Sequence, residues 1–416
     1  MRDNHLAIGG LREGVRLLDC EPLETCLATV LAGLPHKVTP TGGESVCATV
    51  IRANGRYRVH APAIGQPSYY EDPVNAACEL VGIVARYVAR DPDRLVLHAA
   101  AVAADGALMV FPAGRRAGKS LLTVALSQLG AKVFGDDVLP ITLVPGDPIR
   151  GLAFGVSPRL RLPLPMNATR LVDGSTEEPS VENDQYRYLA VSELAPAGEE
   201  LPIGAFVALR LAEEGPPRLE PFSQGAMLGI LLKQNFGRRG RAETLLSGLY
   251  ALASSVPSYE LTYRDPIEAA SLLCSELAPR GVSSVAPILE VPSIPKPAIS
   301  EPGSFSAGLE YRRREGVMLR ELEGNCFAAS PDGGEIVRLN EGLFQIWRLL
   351  DEPASPAEIA GLMRSAYGDV PSEQIDADVA TAFSALADAG LIVPAEIPRV
   401  DAAGRVRIGF HGGGAQ

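Results

Sequence analysis

The sequence predicts an α/β protein with a P-loop core, an α+β module before it and a winged helix-turn-helix domain after it. Three observations predict this order. Residues 95–137, LVLHAAAVAADGALMVFPAGRRAGKSLLTVALSQLGAKVFGDD, read as strand, phosphate loop, helix, strand and acidic pair, the order a nucleotide site needs. Residues 281–306 carry repeated Pro and Ser that break every period and mark an extended linker. Beyond them, short strand patterns precede three amphipathic helix patterns. The predicted domains are an N-terminal module over 1–92, the core over 93–279, a linker over 280–306, a C-terminal domain over 307–396 and a flexible tail over 397–416.

A chain of 416 residues, 46% hydrophobic and 21% charged, is long enough for two or three packed domains. The opening MRDNHLAIGG lacks a basic flank before an apolar core, and no apolar run approaches membrane-spanning length. Six Cys form no CxxC pair and five His are scattered, so a zinc site or disulfide framework is not expected and a reducing cytoplasm is. A formal charge of −12 speaks against a nucleic-acid surface, which needs clustered Lys and Arg.

In the N-terminal module, 17–31 is expected to hold one short helix broken by Pro22. Residues 45–59 read as two strands around the turn Asn54-Gly55, and 73–89 has helical apolar spacing. The core opens on the apolar strand 107–111 and Pro112, then the loop AGRRAGKS. Its form, [Ala/Gly]-x4-Gly-Lys-Ser, lets the amides of Ala113, Gly114, Arg115, Arg116, Ala117, Gly118, Lys119, Ser120 and Leu121 cradle phosphates. Lys119 reaches the β- and γ-phosphates and Ser120 ligates Mg²⁺, so ATP and Mg²⁺ are the expected cofactors. Arg115 and Arg116 either contact phosphates or project into solvent. A helix over 121–129 follows, then a second parallel strand ending at Asp136 and Asp137, whose carboxylates suit Mg²⁺ binding and acceptance of a hydroxyl proton. Further on, 139–144 is expected as a strand, 173–185 as a polar loop, either lid or inert, and 203–211 and 258–263 as strands. Residues 224–255 read as helical and carry Lys233, Arg238, Arg239 and Arg241, and a short helix covers 266–277.

His98, Ala113, Lys119 and Asp136/Asp137 have the order and spacing that resemble the catalytic domain of HPr kinase/phosphorylase, of the HPr kinase/PEP carboxykinase fold. The resemblance implies that a His opens the strand before the loop and supports the acidic pair. It implies that Asp136 is the base toward the acceptor hydroxyl and Asp137 the Mg²⁺-side carboxylate, with the two roles exchangeable, and it leaves a homo-oligomer open. Ala113 departs from the usual first Gly, and PRLRLPLP at 158–165 stands where an Arg-Gly-rich signature would be, which makes HPr an unexpected substrate. Arg159 and Arg161 are placed either to approach a phosphate or acidic acceptor, or simply to edge a half-exposed strand.

In the C-terminal domain, strands are expected over 317–322, 326–330 and 335–339, with a turn at Asp332-Gly333-Gly334. Asn340 caps a helix burying Leu343, Ile346, Trp347 and Leu350; Ser355, Pro356 and Glu358 announce a second presenting Ile359, Leu362 and Met363. The third, 372–389, ends at Gly390. Strands plus three helices raise DNA binding, but no Lys or Arg occurs between Ser365 and Pro398 while Asp369, Glu373, Asp376, Asp378 and Asp388 do. IVRLNEG, IWRLLDEP and LADAGLIV instead resemble the PqqD-like recognition domain of modified-peptide biosynthesis. That resemblance implies a leader peptide added as a strand, with Val337, Arg338, Leu339, Asp378 and Ala382 lining the groove or belonging to the core. Together these readings predict an ATP-dependent kinase acting on a hydroxyl, Ser foremost, of a ribosomally made precursor peptide. The alternatives are a nucleotide-responsive peptide chaperone and a kinase for a small molecule.

Overall fold

The computed structural model describes residues 2–9, 11–62, 64–114, 116–173, 179–236, 242–277, 286–290, 305–331, 336–395, 399–400 and 406–407. Over these the chain is mixed α/β and divides into two units, Met1–Gly237 with Ser247–Glu290, and Arg238–Leu246 with Val291–Gln416.

The first unit begins with β1 (Asp3–Ile8), β2 (Gly14–Leu18), α1 (Glu21–Val30), β3 (His36–Pro40), β4 (Val46–Ala53), β5 (Arg56–His60), β6 (Ser68–Tyr70) and α2 (Pro73–Val88). The strands form one sheet, β3-β1-β2-β4-β5-β6. Pro22 sits in the first turn of α1, where a missing N–H costs nothing, so it starts this helix rather than breaking one, and 14–18 is strand. Asn54 and Gly55 have φ of 50° and 77°, the geometry of a two-residue hairpin between β4 and β5. Asp72 caps α2 by accepting from the Asn75 N–H at 2.9 Å. Leu23, Leu27 and Val30 of α1 and Val74, Ala77, Leu80 and Val84 of α2 share one core, which Val96, Val138, Phe154 and Tyr188 also enter.

The chain continues through β7 (Arg94–Leu97), β8 (Ala99–Ala104), β9 (Ala107–Pro112), α3 (Lys119–Gln128), β10 (Lys132–Gly135), β11 (Leu139–Thr142), β12 (Arg150–Leu152), β13 (Arg159–Arg161), α4 (Thr169–Asp173), β14 (Ser180–Glu182), β15 (Tyr186–Leu189), β16 (Glu200–Leu211), β17 (Arg218–Pro221), α5 (Gln224–Lys233), α6 (Ala242–Ser255), β18 (Ser258–Tyr263) and α7 (Pro266–Glu276). The larger sheet runs β10-β8-β9-β16-β12-β11-β7, with β18 joining β16 to β17. β16 is long enough to pair with β12 at its start and β18 over its end. Leu122 and Leu126 of α3 and Ala269 and Leu273 of α7 share a core with Phe111, Val207 and Leu261 of the sheet.

Three differences from expectation concern the surroundings of the loop. β10 does point the same way as β9, but β8 lies between them, antiparallel to both. The cause is Asp105-Gly106, at φ of 49° and 80°, which folds β8 and β9 into a hairpin. His98 therefore opens β8, one strand earlier than the strand that enters the loop. The polar stretch 173–185 is partly sheet: β14 and β15 pair around Asn183, whose Oδ1 accepts from the N–H groups of Gln185 and Tyr186. Within 280–306, Pro287 accepts from the Ile149 N–H at 2.8 Å and Leu289 exchanges bonds with Gly146 and Asp147. Burying Leu289 binds this piece to the first unit despite its proline-rich composition. Arg238, Arg239 and Arg241 lie outside the described residues.

The second unit contains β19 (Tyr311–Arg313), β20 (Met318–Leu322), β21 (Asn325–Ala329), β22 (Ile336–Leu339), α8 (Glu341–Leu349), α9 (Pro356–Ala366), α10 (Ser372–Asp388), β23 (Ile392–Pro394), β24 (Arg399–Val400) and β25 (Val406–Arg407). β20, β21 and β22 form a three-stranded antiparallel sheet; the turn expected at 332–334 lies outside the described residues. Asn340 caps α8, and Ser355 with Glu358 forms a complete capping box on α9. Ile346, Trp347, Ile359, Val379, Phe383 and Leu386 make the core, closed by Tyr311 edge-on to Phe383 at 5.7 Å. Leu362, expected inward, is 55% exposed. The pairs β19–β23 and β24–β25 have no counterpart in the sequence reading, and the second falls where a structureless tail was expected.

Candidate active site

The fully buried β9 feeds the loop, and α3 begins at Lys119. Gly118, its N-cap, has φ +85°, and a Cβ there would lie 2.2 Å from Tyr263 Oη, so this position requires glycine. Tyr263 in turn donates to the Ala117 carbonyl at 3.2 Å and holds the loop from the end of β18. Arg116 also adopts a left-handed φ of 67°, and two such residues two positions apart turn the backbone sharply ahead of the helix. Ala113 is not among the positive-φ residues, which explains why alanine serves there without strain. Gly114 and Arg116 are exposed, Ala117, Ser120 and Leu121 half-buried, and Arg115 lies outside the described residues.

Lys119 is 6% exposed, and its ammonium donates to the carbonyls of Ala113 at 2.7 Å and Gly114 at 3.2 Å. Nζ lies 3.4 Å from His98 Nε2 and 4.0 Å from Asp137 Oδ1. Burial lowers its affinity for the proton, against the pull of the two Asp charges. His98 is held by Gln234, which accepts from its N–H at 2.7 Å and meets Nδ1 through Oε1 at 3.0 Å, and by Phe236 edge-on at 6.0 Å.

The acidic pair follows the end of β10. Asp136 is 5% exposed; its Oδ2 accepts from the Arg159 N–H at 2.9 Å, while its Oδ1 is buried with no hydrogen-bond partner. Burial, and then the neighbouring charge of Asp137, push this carboxyl above the ordinary carboxylate range. Asp137 goes the other way. Burial alone would raise it, but the hydrogen bond from His98 and the charges of Arg159 and Lys119 hold it low. Its two oxygens divide the site: Oδ1 faces His98 Nε2 at 3.3 Å and Lys119, and Oδ2 accepts from Arg159 Nη2 at 2.7 Å. Arg159 also touches Cys78 Sγ of α2 and lies over the Tyr186 ring at 4.9 Å. Arg161 stacks more distantly on that ring, at 5.8 Å, and is exposed.

These groups line a single cavity of about 1280 Å³ in the first unit, bounded also by residues 78–86 of α2, by 233–236 and by 263–266. His98, Lys119, Ser120, Asp136, Asp137, Arg159 and Arg161, named from sequence, all face it. The sequence does not mark Gln234, Tyr186, Tyr263 and Cys78; their partners are 136, 27, 146 and 81 residues away, as in the His98–Gln234, Arg159–Tyr186, Tyr263–Ala117 and Arg159–Cys78 contacts, beyond the reach of local spacing.

In the second unit, Val337 is half-buried and Arg338 exposed, donating to Asn325 Oδ1 at 2.6 Å. Asp378 is exposed on α10, whereas Leu339 and Ala382 are packed in the core. Among the described residues β22 pairs only with β21, and no group of three or more His, Cys, Asp or Glu is arranged to hold a metal. No helix among them is long and apolar enough to cross a membrane.

No curated protein matches the chain. A solved structure of the PqqD truncation of Methylobacterium extorquens PqqCD, described as a stand-alone RiPP recognition element, is similar over 23% of this chain and 99% of its own, at 24% identity and a TM-score of 0.20. The Hpr(Ser) kinase/phosphatase of Coxiella burnetii is similar over 44% of this chain and 97% of its own, at 12% identity and a TM-score of 0.23. The family model for coenzyme PQQ synthesis protein D (PqqD) matches residues 326–392, which span β21 through the start of β23. This chain thus carries a PqqD domain at its C-terminal end.

Proposed function

We propose that the first unit is an ATP-dependent kinase for a side-chain hydroxyl, Ser foremost, of a ribosomally made precursor peptide, and that the PqqD segment holds that peptide's leader. One observation carries the reading: a loop ammonium and a buried acidic pair share one cavity, with Lys119 Nζ 4.0 Å from Asp137. The residues fit Mg·ATP. Lys119 and the amides of the turn before α3 suit the phosphates. Ser120 and the ionised, part-exposed Asp137 would hold Mg²⁺, with phosphate and water oxygens completing its shell. Bound Mg·ATP supplies the γ-phosphoryl group: the bond from phosphorus to the β–γ bridging oxygen breaks as the acceptor oxygen bonds to phosphorus, leaving ADP.

The chain's own residues handle the proton and the charge. Asp136 presents its unpartnered Oδ1 to the acceptor hydroxyl and takes the proton, which passes to solvent after transfer. Its raised proton affinity brings it toward the working pH, where a general base is most effective, at about 10²–10⁴-fold in rate. Lys119 stabilises negative charge on the transferred group from a site with little water. The outer edge of β22 offers backbone N–H and C=O groups to an added leader strand. Tethering leader recognition to catalysis raises the local concentration of the acceptor.

Co-expression with each short peptide encoded beside its gene, followed by intact-mass measurement, tests the reading; one added phosphate on one peptide is expected. Tight binding of a peptide that never gains phosphate would sink it. A second reading is favoured by the internal pairing of Lys119 with loop carbonyls and of Asp137 with Arg159: a nucleotide-responsive peptide chaperone without transfer. Asp136→Asn separates them, since it stops an enzyme and leaves peptide delivery by a chaperone intact.

A further inference from the structure

One wall of the cavity comes from the N-terminal module. α2 belongs to the first ninety residues, yet its Cys78, Glu79, Gly82 and Ala85 face the same space as Asp136 and Lys119. The order across the site follows from Asp137: Oδ1 faces Lys119 and His98, Oδ2 faces Arg159, and Arg159 reaches Cys78 of α2. The phosphate loop and α2 therefore approach Asp137 from different carboxylate oxygens.

Gly82 is the informative residue on that wall. A glycine inside a helix is less favourable than alanine, because it loses more backbone freedom on folding. Close packing does not explain it, because a Cβ at Gly82 would meet only Arg86 Nη1, at 3.7 Å. Gly82 lines the cavity, so the missing side chain leaves room there. Its charged neighbours are already engaged, Glu79 accepting from Tyr70 Oη at 3.0 Å and pairing with Arg86 at 3.7 Å. Across the cavity, Asp136 Oδ1 is a buried acceptor without a donor.

We infer that α2 is the acceptor wall of this site and that Gly82 determines specificity, admitting the main chain of a neutral peptide segment with small residues beside the hydroxyl that meets Asp136. The inference rests on the kinase reading and adds to it the identity of the acceptor subsite. Gly82→Phe in the full chain, co-expressed with the gene-adjacent peptides, lowers kcat/KM for peptide phosphorylation by about tenfold or more, as a filled pocket does. Affinity for a fluorescent mant-ATP probe and the thermal midpoint stay at the wild-type values. Gly82→Ala, which adds one methyl, keeps most of the activity. If Gly82→Phe lowers the thermal midpoint, Gly82→Met, unbranched and suited to a helix, replaces it. Undiminished peptide phosphorylation by a folded bulky variant overturns the acceptor wall alone. A wild-type chain that phosphorylates none of the peptides overturns the kinase reading, and the acceptor wall with it.

Discussion

The loop-end site of the first unit and the β22 edge of the second spend their residues differently. At the loop, polar groups are buried and compete: Lys119 and Asp136 are each nearly inaccessible, and one carboxylate oxygen has no partner. At β22, the candidates separate into core residues, Leu339 and Ala382, and surface residues, Arg338 and Asp378, with the strand edge between them. Buried unsatisfied charge is costly and persists where chemistry uses it. A strand edge needs no special side chain, because the backbone itself offers the hydrogen bonds. The first site is therefore expected to be brittle to substitution and the second tolerant.

The largest contrast is expected from Lys119→Ala, which removes the ammonium 4.0 Å from Asp137 and lowers kcat by about 100- to 1,000-fold. Single-turnover kinetics with Mg·ATP measure it, and a change below tenfold would place the phosphates elsewhere. Asp136→Asn comes next, with turnover reduced by about 10²–10⁴-fold and ATP affinity retained. It has a pH signature as well. Because Asp136 binds its proton more tightly folded than unfolded, its contribution to stability is present below the ordinary carboxylate value and is lost as pH rises through the raised one. The thermal midpoint of Asp136→Asn relative to wild type should thus rise between about pH 4 and about pH 7. Wild-type activity rises with pH over the same range, because the base must lose its proton to act. A flat Tm difference would show that the carboxyl is not held up by burial.

A core lesion in the second unit sharpens the comparison. Phe383 is fully buried against Tyr311 and Phe305, so Phe383→Ala costs about 3–5 kcal/mol there. Calorimetry should show one weakened transition while mant-ATP binding is unchanged; loss of nucleotide binding would mean that the units do not fold independently. Arg159→Met is smaller, about 2–3 kcal/mol, because it leaves Asp137 without its closest cation at a part-exposed site. It should also move the proton uptake of the acidic pair upward, which a pH–rate profile reads. Least affected is Arg338→Ala: its one bond to Asn325 is exposed, and urea titration should find a change within about 0.5 kcal/mol.

The strongest local signals lay where backbone rules act over a few residues. Asn54-Gly55 marks its hairpin, Ser355 to Glu358 its capping box, and Gly118 the turn into α3, because each conformation is available to few side chains. Asp105-Gly106 carries the same hairpin signal, and it sets His98 at the start of β8, one strand before β9. Proline has opposite meanings inside a helix and at its start, so Pro22 opens α1 where a helix over 17–31 would have it break one.

Order along the chain, loop before acidic pair, was thus written in the sequence through local geometry, as was the apolar spacing of α2, α3 and α10. Only tertiary structure decided that α2 walls the cavity, that Gln234 holds His98, that Arg159 joins Asp137 to Cys78, and that Asp136 keeps one oxygen unpaired. The reason is physical. Turns and caps are settled by torsion angles within a few residues, whereas burial, partner choice and proton affinity depend on what distant segments bring to the same few ångströms.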